Sequence, residues 1–119
     1  VPTILFKNDE PFMILGALGG SVIISAVLQT ILNIVDFGMS PMEAVSVPRI
    51  HSEGEFVHVE ARVESSQIAV LESFGHKIKK SPYSFDPMMA RCHVILKDKK
   101  TWKAGADPRS GGGVAFARV

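Results

Sequence analysis

Cysteine is almost absent. Cys92 stands alone in 119 residues, so no internal disulfide framework holds this chain together. It sits in the strand-like run Arg91-Cys92-His93-Val94-Ile95-Leu96-Lys97 and reads as a buried structural thiol rather than a nucleophile. Charge of one sign is also missing. The formal net charge is +1, which gives no general attraction to nucleic acid or to a charged membrane surface. Lys77, Lys79, Lys80, Lys97, Lys99, Lys100 and Lys103 read as solvated strand ends rather than a nucleic-acid patch. No apolar run is long enough to cross a bilayer. Val22–Val35 is interrupted by Ser25, Gln29, Thr30 and Asn33, against a need for about 20 apolar residues. Val1-Pro2-Thr3-Ile4-Leu5-Phe6-Lys7 lacks the charged start, apolar middle and small-residue cleavage site of a signal peptide. His51, His58, His76 and His93 are too widely spaced for a zinc signature. No metal is expected, and they read as surface or loop histidines. No cofactor motif occurs either. No lysine follows the glycines as a P-loop requires, and Leu18 stands where the dinucleotide fingerprint has its second glycine.

What the chain does have is apolar bulk and well-placed punctuation. Its 46% hydrophobic content is too high for disorder, and its length suits one domain or a piece of a larger one. Thr3–Lys7 and Phe12–Leu15 are apolar runs joined by Asn8-Asp9-Glu10-Pro11, which predicts a β-hairpin. Both runs are nearly continuous in apolar residues, so a sheet covered on both faces is expected. Gly16-Ala17-Leu18-Gly19-Gly20-Ser21 then reads as a glycine turn into a helix over Ser21–Phe37, with Ser21 as its cap and Gly38 as its stop. Ser40-Pro41-Met42-Glu43 has the capping-box pattern and opens a short helix that ends before Pro48. Arg49-Ile50-His51 follows as loop and Phe56–Glu60 as strand. A third helix is expected from Ser65 or Ser66 to Phe74, with Ile68, Val70, Leu71 and Phe74 inward. Lys77–Lys80, Cys92–Lys97 and Thr101–Ala106 complete the strands. The order is β-β-α-α-β-α-β-β-β, an α+β fold with a mixed or antiparallel sheet. Two apolar strands and an apolar helix need more covering layers than the remaining residues supply, so the sequence looks like part of a larger sandwich.

The glycine junction is the leading candidate site. Glycines there can take positive φ and leave bare backbone N–H groups, and the following helix adds the positive end of its dipole. Such a junction seats an anion, a carboxylate or the oxyanion of an acyl-transfer intermediate, or is simply a tight turn. Ser21 has no histidine partner by local motif, and capping accounts for it. Asp107 and Arg109 flank Pro108 in a glycine-rich loop and read as a structural ion pair.

At these residues a family resemblance enters. Pro2-Thr3-Ile4, Gly16-Ala17-Leu18-Gly19-Gly20-Ser21, Asp36-Phe37-Gly38-Met39-Ser40-Pro41, Glu43-Ala44-Val45, Pro48-Arg49-Ile50-His51, Leu71 to Gly75-His76 and Gly105-Ala106-Asp107-Pro108-Arg109 occur in the order found in one family. The chain resembles the C-terminal part of the small subunit of gamma-glutamyltransferases (gamma-glutamyltranspeptidases), with residues 1–119 as a C-terminal fragment of that subunit's domain. The resemblance implies an N-terminal-nucleophile hydrolase fold, two sheets sandwiched between helix layers (αββα). It implies an enzyme whose self-cleaved precursor exposes an N-terminal threonine. That threonine takes the γ-glutamyl group of a glutathione-like compound and passes it to water or an amino acid, with its own α-amino group as base. By position, Gly19 and Gly20 match the paired glycines whose N–H groups stabilise the oxyanion. The implied partners are the γ-glutamyl compound, the remainder of the small subunit and the large subunit.

The departures from the family pattern carry information too. Residue 1 is valine, which has neither hydroxyl nor thiol, and Thr3 matches a threonine downstream of the nucleophile. The paired serines that hold the substrate's α-carboxylate are expected immediately upstream of Val1. The chain alone is therefore expected to be inactive. The family's Ser-Pro within the glycine loop is Ala17-Leu18 here, which points to a looser loop and a shifted substrate preference. Two other readings stand beside this one: a stand-alone module that binds a carboxylate or phosphate, and, among enzymes, a relative acting on poly-γ-glutamate or a cephalosporin side chain.

Overall fold

A computed structural model describes residues 2–117. Its elements are β1 (Thr3–Lys7), β2 (Glu10–Leu18), α1 (Val22–Val35), α2 (Pro41–Ser46), β3 (Ile50–Ser52), β4 (Phe56–Val59), α3 (Ser65–Ser73), β5 (Lys77–Lys80), a 3-10 turn (Pro87–Met89), β6 (Arg91–Asp98) and β7 (Thr101–Gly105). They form an antiparallel four-stranded sheet in the order β1-β2-β6-β7 and a three-stranded sheet in the order β3-β4-β5. In the smaller sheet β3 runs antiparallel to β4, and β5 runs parallel to it.

The β1–β2 hairpin turns on Asn8 and Asp9 alone, at φ 52° and 63°. Two successive positive-φ residues match the right-handed twist of the flanking strands, and Asn and Asp tolerate that conformation. Glu10 and Pro11 therefore belong to β2 rather than to the turn. Pro11, which has no N–H to give, sits where the register shifts between Leu5 and Phe6, leaving Phe12 as the extra residue of a bulge.

The main core lies between the four-stranded sheet and the two helices α1 and α2. Met13, Leu15, Cys92 and Val94 point into it from the sheet, and Ala26, Ile34, Ala44 and Val45 from the helices. Thr30 is also buried there, and its hydroxyl donates to the Ala26 carbonyl at 2.8 Å. The α2 capping box forms as the sequence predicts: Ser40 Oγ accepts from the Glu43 amide, and the Glu43 carboxylate accepts from the Ser40 amide. Gly105 lets α2 approach β7, because a side-chain carbon there would run into the Pro41 carbonyl. A second cluster of Val57, Val59 and Val63, with Ile68, Leu71 and Ile78 against it, joins α3 to the small sheet.

Several expectations need correction. Arg49-Ile50-His51 is not all loop, since Ile50–Ser52 pairs with Val57–Val59 as β3. Strand β2 continues through Gly16, Ala17 and Leu18, so the turn is only Gly19-Gly20-Ser21. Ser21 makes no side-chain cap, because its own dihedrals are already helical (φ −61°, ψ −30°). In α3, Val70 and Phe74 are 51% and 74% exposed, and only the Ile68–Leu71 side of the helix meets the sheet. Among the described residues, helices cover the four-stranded sheet on one face only. Ile4, Phe6, Ile95 and Trp102 remain exposed on this chain, where continuous apolar strands would call for a second layer.

Candidate functional site

The site begins where β2 ends. Leu18 pairs with Arg91, and the chain then leaves the sheet through Gly19 at φ +147° and Gly20 at φ +73° before entering α1. Both values lie where L side chains are disfavoured. The two glycines are needed for different reasons. A side-chain carbon on Gly19 would lie 2.8 Å from both Cα and Cβ of Ala90, whereas one on Gly20 would meet nothing within 4 Å. Gly20 is thus selected by dihedral alone, and Gly19 by dihedral and by close approach. Among the described residues neither amide donates a hydrogen bond. The Gly20 carbonyl accepts from Ile23 N at 3.1 Å, which fixes the turn onto the first turn of α1. The result is two adjacent unengaged donors beside a helix N-terminus, an arrangement suited to a developing negative charge.

Ala90 supports the turn from the far side. It holds φ 60° and ψ 174°, a conformation nearly confined to glycine. Its carbonyl accepts from Arg49 Nη1 at 3.1 Å, and the Met89 carbonyl accepts from the same atom at 3.3 Å. Arg49 Nη1 in turn donates to Asp107 Oδ2 at 2.6 Å. This arginine, 2% exposed, ties the backbone behind Gly19 to the loop after β7.

Arg49 belongs to a buried cluster of four charges. Glu60 takes a bidentate pair from Arg109, with Nε to Oε1 and Nη2 to Oε2 both at 2.6 Å. It also accepts the amides of Arg49 at 2.9 Å and Asp86 at 2.8 Å. Asp107 accepts from the Cys92 amide at 2.7 Å, the Arg109 amide at 2.9 Å and Arg109 Nη1 at 3.1 Å. Two cations and two anions balance, and both carboxylates are saturated with donors, but Arg49 Nη2 is buried with no hydrogen-bond partner among the described residues. Burial alone would raise the Asp107 carboxyl, but the Cys92 and Arg109 amides and the two guanidiniums outweigh it and hold the group below its ordinary value of 3.8. Burial opposes the charge on Arg109 as well, and Glu60 and Asp107 overcome that opposition. For Arg49 burial prevails, reinforced by the like charge of Arg109, and its basicity is lowered.

A third group sits on the α1 side. His51 Nδ1 lies 2.7 Å from Ser25 Oγ. Its Nε2 is 3.1 Å from Glu53 Oε1, off the line of a good hydrogen bond. The Glu53 carboxyl is held low by hydrogen bonds from Ser21 first and His51 second. Ser21 makes no cap bond to α1, and its hydroxyl lies close enough to Glu53 to lower that carboxyl. His51, expected at the surface or in a loop, is a largely buried strand residue that ties β3 to α1.

The predicted Asp107–Arg109 ion pair is present, and Cys92 is fully buried with its thiol pushed up by burial. Sequence reading missed Arg49, Glu60 and Ala90 as elements of the site. Arg49 and Asp107 are 58 positions apart and Glu60 and Arg109 are 49 apart, so no local spacing could pair them. The usable signal was an arginine directly after Pro48, in a segment otherwise apolar enough to be buried. Among the described residues, no group of three or more His, Cys, Asp or Glu side chains could hold a metal ion.

The mixed α+β architecture is that of N-terminal-nucleophile hydrolases, as similarity to known proteins shows. The sequence model of the family described as Gamma-glutamyltranspeptidase matches residues 1–117, and the chain belongs to that family. It is 37% identical over 112 residues to the glutathione hydrolase proenzyme of Bacillus subtilis (strain 168), covering 93% of this chain and 19% of that protein. A mutant of Helicobacter pylori gamma-glutamyltranspeptidase superposes with a TM-score of 0.81 at 32% identity, over 92% of this chain and 60% of that one. Cephalosporin acylase from Bacillus halodurans gives a TM-score of 0.90 at 30% identity, over 99% of this chain and 22% of that one. The chain thus spans about a fifth of the length of the curated relatives it matches.

Proposed function

We propose that these residues form the oxyanion wall of an enzyme that transfers or hydrolyses γ-glutamyl groups through an acyl-threonine intermediate. The observation that carries this reading is the pair of unengaged N–H groups at Gly19 and Gly20, backed by Ala90 and seated on the N-terminus of α1. A threonine hydroxyl outside residues 1–119 attacks the γ-carbonyl of a glutathione-like compound and gives up its proton to the threonine's own amine. The carbonyl oxygen takes up the negative charge and accepts hydrogen bonds from Gly19 and Gly20. The intermediate collapses to the acyl-enzyme as the leaving amine departs with a proton. Water or a second amine then takes the acyl group by the same geometry in reverse. The uncovered apolar face of the four-stranded sheet fits a chain that functions against the second sheet of the sandwich, with the rest of the small subunit and the large subunit as partners.

The test uses the full-length protein that contains this chain, assayed with γ-glutamyl-4-nitroanilide. Release of 4-nitroaniline and a mass increase of one glutamyl unit on the threonine-bearing subunit are expected, while the 119-residue chain alone releases none. Gly19→Ala keeps the amide but can hold neither φ +147° nor the approach to Ala90. The donor is displaced, and kcat should fall towards the loss of about 100- to 1,000-fold that removal of one oxyanion donor brings. Full activity in that variant would remove these glycines from the mechanism. A second reading is favoured by the Ala17-Leu18 replacement in the glycine loop and the likeness to a cephalosporin acylase: the acyl group is then a cephalosporin side chain. Faster release of the side chain from a cephalosporin than of 4-nitroaniline from the γ-glutamyl compound would select it.

A further inference from the structure

Helix α1 is amphipathic in the inverted sense. Val22–Val35 contains no charged residue, and its polar side chains are all spent inward. Ser25 Oγ meets His51 Nδ1 of β3 at 2.7 Å. Gln29 brackets Ile50 of the same strand, donating to its carbonyl at 2.7 Å and accepting from its amide at 3.0 Å. Asn33 donates to the Ala44 carbonyl of α2 at 3.2 Å, and Thr30 is fully buried. The residues of α1 that reach solvent are Ile24, Leu28, Leu32 and Val35, which are 75%, 53%, 38% and 53% exposed. Their spacing of four, four and three puts them in one row along a single side of the helix. The row is about three turns, or 16 Å, long. A helix at a protein surface shows the opposite pattern, polar outward and apolar inward.

We propose that this row seats an α-helix supplied by the same polypeptide from outside residues 1–119, so that α1 is an interior helix of the full-length protein. The row itself sets the partner's chemistry. A ridge one side chain wide fits the groove between the side-chain rows of another helix. The facing side of that helix is apolar and brings no buried charge, because α1 carries no charge to pair with it. Two observations point to the same polypeptide rather than to a second copy of it. The chain spans about a fifth of the length of its curated relatives, which leaves ample sequence to supply a helix. It also has two apolar faces on opposite sides of its core: the α1 row, and the sheet face that carries Ile4, Phe6, Ile95 and Trp102. One two-fold contact between copies would cover one of these faces and leave the other in water. A continuous polypeptide covers both. Nothing in this depends on the acyl-transfer reading, and no readout below is an activity.

The test uses the full-length protein and begins with the wild type, so it does not depend on a variant that folds. Carbene footprinting with a photoactivated diazirine is read at Ile24, Leu28, Leu32 and Val35 by mass spectrometry. Each should take up less than about a tenth of the label that it takes up in urea, the share of its surface that a buried side chain keeps. More label than that on the native row overturns the proposal. The partner is then identified with p-benzoylphenylalanine in place of Leu28 and, separately, of Val35. Irradiation should join both positions to one segment outside residues 1–119, at points about seven residues apart, as along two aligned helices. Points about three residues apart would be the spacing of a strand and overturn the helix. A bond to a peptide from residues 1–119 marks a second copy and overturns the proposal, as does the absence of any bond.

Discussion

The glycine turn and the charged cluster meet at Ala90 and treat their polar groups in opposite ways. In the turn, the Gly19 and Gly20 amides have no partner among the described residues, and both residues are exposed. In the cluster, Glu60 and Asp107 are saturated with donors and shut away from water. Unpaired donors are useful only if they stay put when no charge is present to hold them. The cluster supplies that fixity: Arg49 grips the Met89 and Ala90 carbonyls, and Ala90 packs on Gly19. Open polarity at one end of the chain of contacts is held by closed polarity at the other.

Removing one charge should do the most damage. Glu60→Leu in the full-length protein leaves Arg109 buried against a single aspartate and should lower unfolding stability by about 3–5 kcal/mol, read from the urea midpoint. A loss under 1 kcal/mol would mean that the cluster is not the rigid half of the pair.

Acid should act more gradually on the same region. The Asp107 carboxyl is depressed in the folded protein relative to its ordinary 3.8. Its contribution to stability is therefore fully present above that value and is lost as pH falls through the lower folded value. A pH series of urea midpoints should be level down to about pH 4 with respect to this group and decline below it. Asp107→Asn should lower the plateau and flatten the decline. An unchanged decline in that variant would assign the acid sensitivity to other carboxylates.

The smallest effect belongs to the point of contact. Ala90→Gly relieves a positive-φ alanine and should raise stability by about 1 kcal/mol, seen as a higher Tm. It also removes the Cβ that faces Gly19, so activity should not rise in step. A variant both more stable and more active would mean that Ala90 does not hold the turn.

Much of the fold was legible because its signals are local. The capping box Ser40–Glu43, the apolar α1 and its stop at Gly38, and the hairpin between two apolar runs each depend on residues within a few positions of one another. The glycine junction was legible for the same reason, and its ordered blocks carried the family. Strand β3 was not, because Ile50–Ser52 is short and is defined by its pairing with β4. Ser21 misled because a serine before a helix usually caps it, whereas here its own dihedrals are already helical and its side chain makes no cap bond. The inward assignment of Val70 and Phe74 failed because helical period gives a face but not how much sheet lies beneath it.

By itself the sequence determined the order of elements apart from β3, the family and the location of the turn, since propensity, caps and glycine dihedrals act over a few residues. Tertiary structure alone decided that Arg49 would find Asp107, that Glu60 would clasp Arg109, and that Ala90 would stand against Gly19. The reason is that burying a charge or exposing an amide has meaning only once distant segments have packed and fixed which groups are left for water, for one another, or for a substrate.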